Sequence, residues 1–385
     1  MKVSLLFFLF CLVSLQAFER PLYEQNFKTE ATGIFLPIEI EGEQCSFLFD
    51  TGASFVVLDK RFKHLMGEPL SVQEAEARTG LRFANKPIQT PNGEISLEMY
   101  KALPLRIGRL QVANRFPYLL ADLQALWPFA GEKFCGILGT SFLHQFRWEI
   151  DFSKGKIKAY IGAEPYMQAY TSRTPIFYSK SRIPQVAIGF EGQEIAFDID
   201  TGDNGAGRMK RENLLFLQRQ GQVLAFQEQD VVTVSALSTS KEYRLRSLRF
   251  ANVAYPEVVM QESGQNAIGL GLLKRHNVVF DFPFNMLYLQ HHKDYAQKQR
   301  LDKSGLRVIL KEGKLVVFSK KEHAGAVLKN IEVGDVIQSV KGLKGLSLYK
   351  MRALLRQKEG RELFLNIIRE DKEQEAYIKL GKETI

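Results

Sequence analysis

Phe49-Asp50-Thr51-Gly52 and Ile199-Asp200-Thr201-Gly202 are one short acidic motif written twice, 150 residues apart. Their upstream flanks repeat in register, with Gly42-Glu43-Gln44-Cys45-Ser46-Phe47-Leu48-Phe49 lying over Gly192-Gln193-Glu194-Ile195-Ala196-Phe197-Asp198-Ile199. A second block closes each copy, Ile137-Leu138-Gly139 with Asp151 and Ala267-Ile268-Gly269 with Asp281. The aspartate follows the glycine by 12 residues in both. Two blocks matching in the same order mark a duplicated unit, and such a repeat is read before local structure. The duplication places two carboxylates of like local context in one chain.

The 385 residues suffice for two or three domains. A hydrophobic content of 45% with 25% charged residues is that of a folded, soluble protein. The formal charge of +9 is not gathered into a long basic tract. It therefore points to a solvated basic surface and not to nucleic-acid readout. At the N-terminus, Lys2, the apolar run 5–15 and small residues near Ala17 read as a signal peptide over 1–17. The run is too short for an ordinary membrane span, and Phe10 before Cys11 argues against lipid attachment. The expected mature protein is exported, periplasmic or secreted, monomeric, and without a stable membrane span. Cys45 and Cys135 then remain. Export permits a disulfide between them, but two buried thiols fit the sequence at least as well.

From about Phe27 onward the pattern is β. Segments 34–40, 46–49 and 55–58 are short, apolar or alternating, and bounded by glycine or charge. Over 94–99, Ile95, Leu97 and Met99 alternate with Glu94, Ser96 and Glu98, just after the hairpin signal Asn92-Gly93. Helical pattern in this part is mainly at 213–220. The first copy carries about 20 more residues than the second between its motif and its closing glycine, expected between Gly67 and Tyr100. Such an insertion forms either a lid or a plain surface excursion. The polar stretch 291–304 reads as a linker. A compact unit follows, with strands at 306–310, 314–318 and 334–340, a helix at 347–357, and a final strand at 363–368. The helix carries Leu348, Met351, Leu354 and Leu355 on one stripe. Many short strands without long helices predict a mostly β chain with a barrel-like unit in each half.

An aspartate ending an apolar strand enters a partly desolvated site, which raises a carboxyl pKa. A second carboxylate beside it opposes ionisation of both, so the pair shares one proton. That pair suits amide hydrolysis: one member takes a proton from water, the other donates to the carbonyl oxygen and later to the leaving nitrogen. Gly52 and Gly202 allow the tight turns, and Thr51 and Thr201 can anchor them through their hydroxyls. A lone Asp-Thr-Gly is most often a structural Asx turn; repetition in matching contexts reverses that reading. The histidines show no metal-ligand spacing, and no Gly-x-Ser-x-Gly elbow or phosphate loop is present, so no metal or cofactor is expected.

These residues carry a family resemblance. Phe49-Asp50-Thr51-Gly52-Ala53-Ser54, followed by Val56-Val57-Leu58-Asp59, resembles the active-site strand and turn of pepsin-like and retropepsin-like aspartic proteases. Gly136-Ile137-Leu138-Gly139 resembles the segment that packs beside that turn, and Val278-Val279-Phe280-Asp281 through Met286-Leu287-Tyr288-Leu289 resembles a lobe's closing strands. The resemblance covers roughly 28–290. It implies two related β-barrel lobes, at 18–165 and 166–290, forming a cleft for polypeptide substrates. Asp50 and Asp200 are the implied catalytic pair, supported by Thr51, Gly52, Thr201 and Gly202. The second motif departs at Asp203, where the family places a small or hydroxyl residue. No flap tyrosine is assigned, although Tyr100 is available.

The C-terminal part, 305–385, resembles a small α+β PDZ domain. Ser304-Gly305-Leu306-Arg307-Val308 resembles its carboxylate loop and following strand, and Val333-Gly334-Asp335-Val336-Ile337 its Gly-Asp-x-Ile turn. Gly305, Leu306, Arg307 and Val308 are thus implied to bind a C-terminal peptide, added beside the edge strand and the helix. A domain that merely braces the protease is the plainer alternative. The functional expectation is an exported aspartic endopeptidase; the alternative is a catalytically inactive peptide-binding protein that keeps the fold.

Overall fold

The computed structural model describes residues 20–80, 88–90, 93–95, 98–161, 170–190, 193–232, 237–323 and 325–382. The signal segment 1–17, Asn92, Leu97 and the expected boundary at 165/166 lie outside the described residues. The described chain is mostly β.

Each repeat builds one eight-stranded sheet around the same nucleus. In the first, Glu43–Phe49 runs parallel to Gly136–Leu138, with Phe47 opposite Gly136 and Phe49 opposite Leu138. Gly136–Leu138 in turn runs antiparallel to Val56–Asp59. In the second, Gln193–Asp200 lies parallel to Ala267–Gly269, with Asp200 opposite Gly269. Ala267–Gly269 again runs antiparallel to the strand after the turn, Gly207–Lys210. Phe47, Phe49, Phe197 and Ile199 are fully buried. The alternating apolar positions before each motif therefore point inward and carry the aspartates to the sheet ends.

A third sheet of six strands joins the repeats. Its central pair takes Arg147–Asp151 from one copy and His276–Asp281 from the other, antiparallel, with Ile150 opposite Val278. Trp148 is fully buried there. Its ring packs edge-on against Phe49, 5.1 Å between centroids, so the shared sheet reaches the base of the Asp50 strand.

Cys45 and Cys135 are disulfide-bonded, their Cα atoms 6.2 Å apart. The bridge ties the strand leading to Asp50 to the strand leading to Gly139. The first-copy insertion holds the helix Val72–Thr79, begun by a reciprocal Ser71–Glu74 capping box. It also holds a paired strand couple, Ile88–Thr90 with Gly93–Ile95.

The C-terminal unit is a seven-stranded sheet packed against the helix Leu348–Leu355. Leu348, Met351 and Leu355 enter its core with Val308, Val317, Leu365 and Ile378. The strand Glu362–Arg369 is not the final one: Lys372–Lys379 follows and pairs along its whole length. The Glu370-Asp371 turn joining them has positive φ at both residues, the backbone of a two-residue hairpin. Only Ala376 and Ile378 of the last strand enter the core, and this thin apolar pattern hid it from the sequence reading. The stretch 291–304 is held along the second repeat. Gln299 accepts a hydrogen bond from the Val259 N–H (2.8 Å), and Leu301 is fully buried against Ala225 and Val259. Among the described residues no helix is long and apolar enough to cross a membrane.

Because the disulfide closes a long loop, Cys45→Ser with Cys135→Ser is expected to lower unfolding free energy by about 2–4 kcal/mol, measured by chemical denaturation of both forms.

Candidate active site

The two motifs meet. Thr51 and Thr201, both fully buried, exchange hydrogen bonds across the repeats. The Thr51 hydroxyl donates to the Ile199 carbonyl (2.6 Å) and accepts from the Thr201 N–H (3.0 Å). The Thr201 hydroxyl donates to the Phe49 carbonyl (2.8 Å) and accepts from the Thr51 N–H (3.0 Å). Four bonds in a two-fold pattern thus fix one turn against the other. They also satisfy backbone groups that would otherwise be buried and unpaired.

The glycines bring the carboxyl groups together. A Cβ on Gly52 would fall 2.4 Å from Asp200 Cγ, and one on Gly202 would fall 2.6 Å from Asp50 Cγ. Each carboxyl group therefore rests on the other motif's glycine, in space that no side chain can share. Gly139 and Gly269 serve the turns from behind: a Cβ at Gly139 would lie 2.1 Å from the Phe55 carbonyl oxygen, and one at Gly269 would lie 2.4 Å from that of Gly205. This close threading explains why the glycine block recurs with each motif.

The polar surroundings of the two aspartates differ. The Gly52 N–H donates to Asp50 Oδ1 (2.8 Å). Asp200 Oδ1 accepts from both the Gly202 N–H (2.9 Å) and the Asp203 N–H (3.0 Å). Asp200 Oδ2 accepts from the guanidinium of Arg208, a residue the sequence reading missed. Arg208 Nε also lies 3.6 Å from Asp203 Oδ2, and both side chains are nearly buried. Asp203 does not point into solvent. It faces Arg208, and a like-charged cluster becomes a partly neutralised one. Asp198, hydrogen-bonded by Gln185 (2.8 Å), adds a further carboxyl nearby. Asp198, Asp203 and Arg208 stand where the first copy has Leu48, Ala53 and Leu58. That joint exchange of apolar for charged residues, one of them basic, was the available signal for Arg208.

Burial, and then the charge of Asp200, push the Asp50 carboxyl well above its usual range, while the Arg208 charge opposes the shift. Burial also raises Asp203 and Asp198. Arg208 bonds to Asp200 and not to Asp50, so the two carboxyl groups sit in unequal surroundings. Tyr100, the available flap candidate, is instead fully buried in the first repeat, its hydroxyl donating to Glu98 (2.6 Å). Gly305, Leu306, Arg307 and Val308 belong to the C-terminal unit. The Leu306 and Val308 side chains fill its own core, so only Arg307 of the side chains in that strand start faces away from it. Among the described residues no group of three or more His, Cys, Asp or Glu side chains converges as a metal-ligand set.

Thr201→Val leaves two buried backbone groups unpaired and is expected to cost about 2–4 kcal/mol in chemical denaturation. Because the folded-state pKa of Asp50 is raised, its contribution to stability is present at low pH and lost as pH rises through that value. Asp50→Asn is therefore expected to melt above the parent protein near neutral pH, with the difference closing toward about pH 4.

A search of curated proteins finds no match to the chain. Residues 36–142, from the strand preceding the Asp50 strand to the segment after Gly139, match the family model for aspartyl proteases, which supports an aspartyl protease family for the first repeat.

Proposed function

We propose that the chain is an exported aspartic endopeptidase that hydrolyses peptide bonds through water activated by Asp50 and Asp200, with its C-terminal unit a PDZ module for peptides or substrate tails. The reciprocal threonine bonds carry this reading, because they hold the two motifs together so that each carboxyl group lies against the other motif's glycine. In the reaction, Asp200 takes a proton from the bound water. The hydroxide attacks the carbonyl carbon, and Asp50 gives its proton to the carbonyl oxygen. Collapse of the gem-diol intermediate breaks the C–N bond as the proton gained by Asp200 passes to the leaving nitrogen and one gem-diol hydroxyl returns its proton to Asp50, restoring the starting pair.

One observation favours the second reading, a peptide-binding protein without turnover. Three donors already fill the oxygens of Asp200, the Arg208 guanidinium among them, which leaves them less free to accept a proton. The two readings part on activity. For the protease, Asp50→Asn and Asp200→Asn each lower cleavage of a denatured protein by roughly 10²–10⁴-fold. Binding of a transition-state peptide mimic, read as a raised melting temperature, without cleavage at any pH supports the binding protein. Full activity in Asp200→Asn rules out the paired mechanism and favours a homodimer using Asp50 alone.

Arg208 also sets a pH dependence. Activity is lost as pH rises through the value for Asp50, and the Arg208 charge holds that value down. Arg208→Leu, which restores the first-copy residue, is expected to move the upper limb of the pH–rate profile to higher pH.

A further inference from the structure

The edge of the C-terminal sheet is covered by another part of the same chain. The strand Leu306–Lys311 is the outermost of its sheet, with the neighbour Lys314–Lys320 on one side only. Such an edge is a ready template for an added peptide. Beside it lies the one-turn helix Trp127–Ala130 of the first repeat. The Phe129 ring packs edge-on against Phe318, 5.1 Å between centroids. Arg352, on the helix that borders the edge strand, donates to the Phe129 carbonyl (3.1 Å). Gly131 sits so close that a Cβ there would lie 3.4 Å from Leu348 Cδ2. Ile309 alternates with the core-facing Val308 and Leu310, so it faces away from the unit's own core, yet it is only 6% exposed.

We propose that the groove between the strand Leu306–Lys311 and the helix Leu348–Leu355 is a docking site for an apolar peptide bearing an aromatic residue, and that Trp127–Gly131 occupies it as an internal ligand which such a peptide displaces. The internal segment supplies the template for the partner: an aromatic ring for Phe318, and beside it a carbonyl for Arg352. Trp127–Ala130 is a single turn, held there by the Phe129–Phe318 ring contact, the Arg352 hydrogen bond and packing on Leu348 and the edge strand. A partner pairing along the whole edge strand adds backbone hydrogen bonds that a helical turn cannot make. The other face of the segment, Trp127 and Ala130, packs on the cluster that includes Ala53 and Phe55 beside Asp50. The inference rests on the peptide-binding reading of the C-terminal unit and not on catalysis.

The test uses the full chain carrying Asp50→Asn, so that cleavage of the probe does not enter. A fluorescent peptide with the sequence of residues 124–134 is titrated and followed by anisotropy. Phe129→Ala is expected to bind it at least tenfold more tightly than the chain with Phe129 intact, and adding Phe318→Ala is expected to abolish the gain. Phe129→Leu, which keeps an apolar side chain, gives a smaller gain in the same direction and serves if the alanine variant does not fold. Equal affinity with and without Phe129, or no binding to either Phe129 variant, overturns the proposal. Tight binding of an unrelated apolar peptide, with no binding of the 124–134 probe, overturns the internal-ligand assignment while sparing the peptide-binding reading.

Discussion

The exchange of hydrogen bonds between Thr51 and Thr201 is the constraint on which the candidate site depends. Each hydroxyl spans from one repeat to the backbone of the other, both as donor and as acceptor. Neither copy can satisfy these groups alone, because the partner carbonyls, of Phe49 and Ile199, belong to the opposite strand. The carboxyl groups are then held by exclusion: only glycine at positions 52 and 202 leaves them room. Proximity of two acidic groups is thus imposed by buried, directional bonds several kilocalories too costly to leave unmade, not by any attraction between the acids themselves.

A symmetric scaffold carries an asymmetric electrostatic field. Around Asp50 the first copy presents Leu48, Ala53 and Leu58. Around Asp200 the second presents Asp198, Asp203 and Arg208. Burial raises the proton affinity of Asp50, and a guanidinium bonds to Asp200. The proposed division of labour between acid and base rests on this difference, since two identical carboxyl groups in identical surroundings would have none.

The C-terminal unit is bound to both repeats through one helix face. From Leu348–Leu355 and its C-cap, Lys350 pairs with Glu30 (3.0 Å), Arg352 reaches Phe129, and Arg356 pairs with Glu242 (3.0 Å). Lys274 lies over the Tyr349 ring, 5.4 Å from its centroid. Glu30 and Phe129 precede the closing glycine of the first copy, whereas Glu242 and Lys274 belong to the second. Exposed ion pairs of the Lys350–Glu30 kind contribute little, whereas Glu242 is buried, and breaking its pair with Arg356 costs more. The helix braces the chain with two stripes: one fills the unit's own core, and the other holds the body of the chain.

The sequence by itself determined the duplication, the β character, the paired aspartates with their threonines and glycines, and the amphipathic helix of the C-terminal unit. Each rests on local chemistry that repeats or alternates along the chain. Tertiary structure decided what depends on contacts between distant residues. Cys45 and Cys135 are bonded because two parallel strands bring them together. Tyr100 is a core residue because its strand pairs with Tyr118–Ala121. The polar stretch 291–304 is anchored by Gln299 and Leu301, and a strand with only Ala376 and Ile378 in the core joins the last sheet by pairing along its whole length. The role of Arg208 was hidden for the same reason. Its charge was visible in the sequence, but a buried guanidinium takes its meaning from the carboxylate it faces, and only the folded chain supplies that neighbour.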